Sequence, residues 1–170
     1  MTAQEGTRAL EPITRHPGEG EALWFNNDLL VVKATGEETH GGMVVLEELA
    51  RRGKVTPLHT HPLETESFYL LEGEALFFVD GREIAVGPGA FLSVPPGVPH
   101  AYLVTSDTAK ALVLITPGSG AMEAFFHDAG QPAAAHALPP EAPLDMERIG
   151  AAAGRTGAVE ILGPPPFVAP

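Results

Sequence analysis

Gly53-Lys54-Val55-Thr56-Pro57-Leu58-His59-Thr60-His61-Pro62-Leu63-Glu64-Thr65-Glu66-Ser67-Phe68-Tyr69-Leu70-Leu71-Glu72-Gly73 is the stretch on which the fold turns. Five residues separate Gly53 from His59, one separates His59 from His61, four separate His61 from Glu66 and six separate Glu66 from Gly73. A second spaced run follows, Gly89-Ala90-Phe91-Leu92-Ser93-Val94-Pro95-Pro96-Gly97-Val98-Pro99-His100, with five residues between Gly89 and Pro95 and two between Gly97 and His100. Alternate side chains of a strand share a face, so His59 and His61 project to one side. A carboxylate from an adjoining strand and an imidazole from a later one can converge with them. Three imidazoles and one carboxylate suit a borderline divalent metal and leave one or two positions for water or substrate. Zinc, iron, nickel, cobalt, manganese and copper are all chemically acceptable.

Outward from these runs, the chain is built of short apolar segments rich in β-formers. They are Leu29-Leu30-Val31-Val32, Met43-Val44-Val45-Leu46, Phe68-Tyr69-Leu70-Leu71, Ala75-Leu76-Phe77-Phe78-Val79, Ala90-Phe91-Leu92-Ser93-Val94, Ala101-Tyr102-Leu103-Val104 and Leu112-Val113-Leu114-Ile115. Each ends near glycine, proline or a charge, as strands do. Asp80-Gly81 between two such segments is a two-residue hairpin signal, because both central positions of a type I′ turn need φ > 0. Many short strands at this spacing predict an all-β sandwich or barrel. After Pro117 the pattern changes. Residues 122–128 offer one apolar helical face before Gly130, and residues 144–153 form a second helix candidate with Asp145 near its start and Gly154 beyond it. This proline-rich tail is too small to fold alone and is expected to pack on the barrel. Trp24-Phe25 reads as a packing anchor.

The 170 residues make one domain of ordinary size, with 44% hydrophobic and 19% charged residues. Acidic groups outnumber basic ones 22 to 10, for a net charge of −12. Such a surface repels phosphate backbones and anionic lipid, so neither nucleic acid nor a membrane is an expected partner. The absence of cysteine excludes disulfides, thiolate metal sites and a cysteine nucleophile. No apolar run approaches the roughly 18–20 residues needed to span a bilayer. The first residues lack a signal-peptide pattern, and the expected location is the cytoplasm.

The two spaced runs resemble both signature motifs of the cupin superfamily. The resemblance implies a single double-stranded β-helix (a jelly-roll barrel) over residues 23–117, an N-terminal arm over 1–22 and a short helical extension over 118–170. It makes His59, His61, Glu66 and His100 the ligands of one divalent metal per chain. The second motif commonly closes with asparagine where Val104 stands; that asparagine is not a ligand, so only a local hydrogen bond is lost. Further stretches are similar to the bacterial single-domain quercetinase-like cupins: residues 32–39, 64–73, 114–117 and 161–166. Those enzymes cleave a flavonol's central ring with O₂. By this resemblance the metal would bind a deprotonated hydroxyl beside the substrate ketone, and Glu66 would accept its proton as the catalytic base.

Glu64 is a second candidate for the functional carboxylate, although Glu66 alone satisfies the spacing to Gly73. Phe68 and Leu70 share the face of Glu66, and Tyr102 and Val104 that of His100. These four read as core packing or as an apolar substrate pocket beside the metal. His16, His40, His127 and His136 match no pattern and are expected at the surface. A metal-dependent isomerase or epimerase and a non-catalytic ligand-binding cupin remain alternative functions. An exposed barrel edge would favour a homodimer.

Overall fold

In the strand Val44–Arg51, every second residue turns inward: Val44, Leu46, Glu48 and Ala50 are buried, and the four between them are half-exposed. The strand Thr108–Thr116 repeats the rhythm with Ala109, Ala111, Val113 and Ile115 inside. This period of two fixes one apolar face per strand and so demands a second layer to cover it. The computed structural model describes residues 11–167, and the first half of the expected N-terminal arm lies outside them.

Two antiparallel sheets supply the layers. In chain order the elements are β1 Glu21–Phe25, β2 Asp28–Ala34, β3 Val44–Arg51, β4 Leu58–Thr60, β5 Thr65–Glu72, β6 Ala75–Val79, β7 Arg82–Val86, β8 Phe91–Val94, β9 His100–Val104 and β10 Thr108–Thr116. Helix α1 Ala121–Ala129, β11 Gln131–Pro132, helix α2 Met146–Thr156 and β12 Glu160–Gly163 complete it. One sheet runs β11-β1-β2-β3-β10-β5-β8 and the other β12-β4-β9-β6-β7. Between them Phe68, Phe77 and Tyr102 pack ring against ring, with centroids 4.9 to 5.8 Å apart. This is the all-β jelly roll expected. Among the described residues no helix is long and apolar enough to cross a membrane.

The tail is more deeply woven into the barrel than two helices on linkers. Its β11 extends one sheet by pairing with β1, and its β12 extends the other by pairing with β4. Helix α1 buries Met122, Phe125, Phe126 and Ala129. Phe125 and Phe126 meet Phe25 edge to face at 5.8 and 5.6 Å. Trp24 serves as an anchor by donating its indole N–H to the Ala137 carbonyl at 2.8 Å. Asp145 caps α2 by accepting from the Arg148 N–H. That helix passes through Gly154 and stops at Gly157, whose φ of 66° is left-handed. A helix-interior glycine costs only about 1 kcal/mol, and the burial of Ile149, Ala152 and Ala153 offsets it.

The Asp80-Gly81 hairpin has φ of 48° and 78°, the double positive value that the type I′ turn requires. Two spaced glycines of the first run differ in kind. Gly53 has φ +82° with open space where a Cβ would stand, whereas a Cβ on Gly73 (φ +77°) would lie 2.1 Å from the Thr108 carbonyl oxygen. Gly53→Ala is therefore expected to lose about 1–2 kcal/mol, the usual penalty of a left-handed L-residue. Gly73→Ala should lose more, because backbone must also move. Urea unfolding of the two variants checks the order; equal losses would contradict it.

Candidate metal centre

His59 lies in β4 and His100 opens β9, and the two residues sit directly opposite one another in the ladder. His61 follows the end of β4, and its carbonyl accepts the Gly97 N–H at 2.8 Å, tying the two spaced runs together. Glu66 reaches across from β5 in the other sheet. The ring centroids of the three histidines stand 4.2 to 5.2 Å apart. One ligand-type atom from each of the four residues falls within 4.8 Å of all the others, and all four residues are buried.

The orientation of each ring is held from behind. His59 Nδ1 meets the Pro57 carbonyl at 2.8 Å, His100 Nδ1 the Val98 carbonyl at 2.9 Å and His61 Nδ1 the Ala158 carbonyl at 3.1 Å. A carbonyl only accepts, so each Nδ1 carries a hydrogen and each Nε2 is the nitrogen turned inward. Glu66 Oε2 faces Nε2 of His61 at 3.2 Å and of His100 at 3.1 Å. Three convergent imidazole lone pairs and a carboxylate fit a divalent transition metal.

Electrostatics distinguishes the members of the cluster. Burial, reinforced by the neighbouring His100 ring, pushes His59 down to about 3, so it stays neutral. Burial also opposes a charged His61, but the Glu66 carboxylate outweighs it and holds His61 above its ordinary value. For Glu66, burial opposes ionisation, and the facing His61 and His100 rings overcome it and hold the carboxyl well below its ordinary range.

Residues 45–117 match the family model of the Cupin domain. Those residues form a cupin domain. Over 130 residues this cupin is 34% identical to quercetin 2,3-dioxygenase of Bacillus subtilis, a stretch covering 76% of the chain and 38% of that relative. It thus spans well under half of the length of the curated relative it matches. Its fold is similar to that of a predicted oxalate decarboxylase from Thermotoga maritima, with TM-score 0.56, 20% identity and coverage of 61% of this chain and 97% of that one. An RmlC-like cupin from Shewanella frigidimarina gives TM-score 0.54 at 17% identity, over 64% of this chain and 93% of the other.

The cupin's barrel holds a cavity of about 60 Å³ whose wall includes His59, His61 and Glu66. Phe68 and Tyr102 line it as well, as do Met122, Phe125, Phe126 and Ile149 of the two helices. Leu70 and Val104 do not reach it; they line a separate cavity of about 20 Å³. Both lie on the inward face expected of them, but further along their strands. Glu64 is buried too, yet its Oε1 accepts from Ser119 Oγ at 2.6 Å, and it stands outside the four-residue cluster. His16, His40, His127 and His136 are exposed.

Two carboxylates that no spaced motif marks, Asp28 and Glu48, also stand in the cavity wall, together with Phe25 of the expected packing anchor. Glu48 had a visible signal, since it falls on the inward phase of Val44, Leu46 and Ala50.

Metal binding should depend on pH through His61. A raised value means that His61 holds a proton in the metal-free protein below that value, and an entering ion must displace it. Affinity is therefore expected to rise with pH until His61 is neutral, with proton release that shrinks over the same range. Calorimetric zinc titrations in buffers of different ionisation enthalpy measure both. His61→Ala should lose affinity at least about tenfold, no less than losing an outer-shell partner does, and the His61 share of the proton release.

Proposed function

We propose that this cupin is a metal-dependent dioxygenase of the quercetinase-like kind, cleaving a flavonol or a similar enolic aromatic substrate with O₂. The observation that carries the reading is a buried three-histidine, one-glutamate cluster opening on an apolar cavity, in a chain 34% identical to a quercetin 2,3-dioxygenase over 130 residues. His59, His61, Glu66 and His100 would hold the ion. When bound, a divalent metal supplies Lewis acidity, lowering the pKa of an enolic hydroxyl and orienting it.

The chain's own groups account for the remaining work. The carbonyl bonds to Nδ1 keep the three rings pointed inward. Glu66 stays ionised, and with Oε2 turned to the two imidazoles, Oε1 is the oxygen that takes the substrate's hydroxyl proton. Phe68, Leu30 and Val113 make much of the wall apolar, and the helices add Met122, Phe125, Phe126 and Ile149 to it. At about 60 Å³ the cavity has room for roughly four waters. A flavonol needs more room than this, so it binds only as the cavity widens.

The test is O₂ uptake by protein reconstituted in turn with nickel, cobalt, manganese, iron, zinc and copper, using a flavonol panel. Turnover without O₂ uptake would point to an isomerase, and binding without turnover to a carrier. Glu66→Gln keeps shape and an acceptor oxygen but removes the base. At full metal occupancy it should oxidise flavonol at least about 100-fold more slowly in single-turnover absorbance decay. Part of that loss should return at high pH, where the substrate is already ionised. Near-normal turnover would remove Glu66 as the base and make Glu64 the candidate.

A further inference from the structure

The barrel interior contains a second polar group that the metal-ligand cluster does not explain. Lys54, Asp28 and Glu48 are 3%, 0% and 6% exposed, from three different parts of the chain. The Lys54 ammonium donates to Asp28 Oδ2 and stands 3.4 Å from Glu48 Oε1. The Tyr102 hydroxyl also donates to Glu48 Oε1. Burial pushes the Glu48 carboxyl up to about 7 and the Lys54 ammonium down to about 7, a measure of how unfavourable charge is here. Buried ion pairs commonly stabilise less than hydrophobic residues of the same volume would. Packing alone does not account for two carboxylates and an ammonium inside so small a barrel.

Their position suggests a ligand. Asp28, Glu48 and Tyr102 share the cavity wall with His59, His61 and Glu66. Glu48 and Tyr102 also border the second cavity, so they form part of the partition between the two. The other uncharged polar side chains of that wall are engaged within the protein: Asn26 Nδ2 donates to the Val55 carbonyl at 2.9 Å, and Thr56 Oγ1 accepts the Tyr102 N–H at 3.0 Å. Asp28 Oδ1, by contrast, is buried without a hydrogen-bond partner in the protein. A buried carboxylate oxygen left unpaired is destabilising by more than an ordinary lost hydrogen bond.

We propose that Asp28, Glu48 and Tyr102 form a hydrogen-bonding anchor that selects ligands carrying a second hydroxyl, separate from the enolic group held at the histidine cluster. Carboxylates only accept, so the anchor recognises a donor and rejects the same molecule with hydrogen, methyl or methyl ether in that place. Lys54 already supplies the cation that the two carboxylates need, so the ligand contributes a neutral hydroxyl. Lys54 is a positioning residue, holding both carboxylates in place. The inference rests on the metal-dependent reading of the site and narrows its substrate class to enolic hydroxy-ketones with a further, hydrogen-donating hydroxyl.

The experiment compares matched ligands by calorimetry on the full-length, zinc-loaded protein. Quercetin is paired with 3-hydroxyflavone, which keeps the hydroxy-ketone and lacks the other hydroxyls. Kojic acid is paired with allomaltol, from which it differs by one hydroxyl on a single small ring. The hydroxylated member of a pair should bind at least about tenfold more tightly, the low end for a hydrogen bond to a charged group. In Glu48→Gln and in Tyr102→Phe that preference should fall below about threefold, while the ligand without the extra hydroxyl keeps its affinity and metal content is unchanged. Tyr102→Phe retains the ring stacked on Phe77 at 5.3 Å and decides the matter if Glu48→Gln does not fold. Equal binding of both members by the unmodified protein, or equal loss of both in the variants, would overturn the anchor. A preference for kojic acid with no binding of either flavonol would uphold it and overturn the flavonol reading instead. Failure of all four ligands to bind would overturn both.

Discussion

Each imidazole of the cluster is useful only because a backbone carbonyl grips its far side. An unrestrained histidine can rotate and can carry its proton on either nitrogen; here Pro57, Val98 and Ala158 remove both freedoms. Two of those carbonyls lie two residues before the histidine they hold, so the local chain that brings the ring also aims it. That local geometry depends in turn on the β4–β9 pairing that sets His59 against His100. The short β4, three residues long, is held on its other side by β12. The donor set is thus a product of backbone pairing more than of side-chain packing.

The same barrel carries an uncommon load of charge inside an apolar shell. Glu66 is stabilised by the rings it faces, and Asp28 and Glu48 by Lys54 and Tyr102. In a low-dielectric interior these two systems feel one another: the Glu66 charge works to raise both Glu48 and Lys54. The aromatic trio of Phe68, Phe77 and Tyr102 supplies the packing around them. Tyr102 belongs to both worlds, with its ring in the core and its hydroxyl on Glu48.

Much of this was legible in the sequence because spacing encodes geometry directly. The His59–His61 alternation, the glycines that end strands and the Asp80-Gly81 turn each follow from backbone constraints that operate within a few residues. Depth along a strand does not. Leu70 and Val104 occupy the correct inward face yet line the second cavity, because a period of two fixes the face and says nothing of how far along the barrel a residue lies. The polar cluster escaped for another reason: Asp28, Glu48 and Lys54 come from unrelated segments, and only tertiary pairing brings them together. Glu48 alone left a trace, as a carboxylate in the apolar phase of its strand. The tail's two strands were likewise hidden, being two and four residues long and specified by the partners they find.

The bond from His61 to Ala158 spans 97 positions of the chain. A ribosome delivers the N-terminal part first, at about 5–20 residues per second. His59, His61, Glu66 and His100 therefore all leave the ribosome before the carbonyl that orients His61 has been made. Until residue 158 is in place His61 lacks the carbonyl that aims its ring, whereas those of His59 and His100 are already made. The orientation of His61 is thus completed only late in synthesis, after translation of the barrel itself.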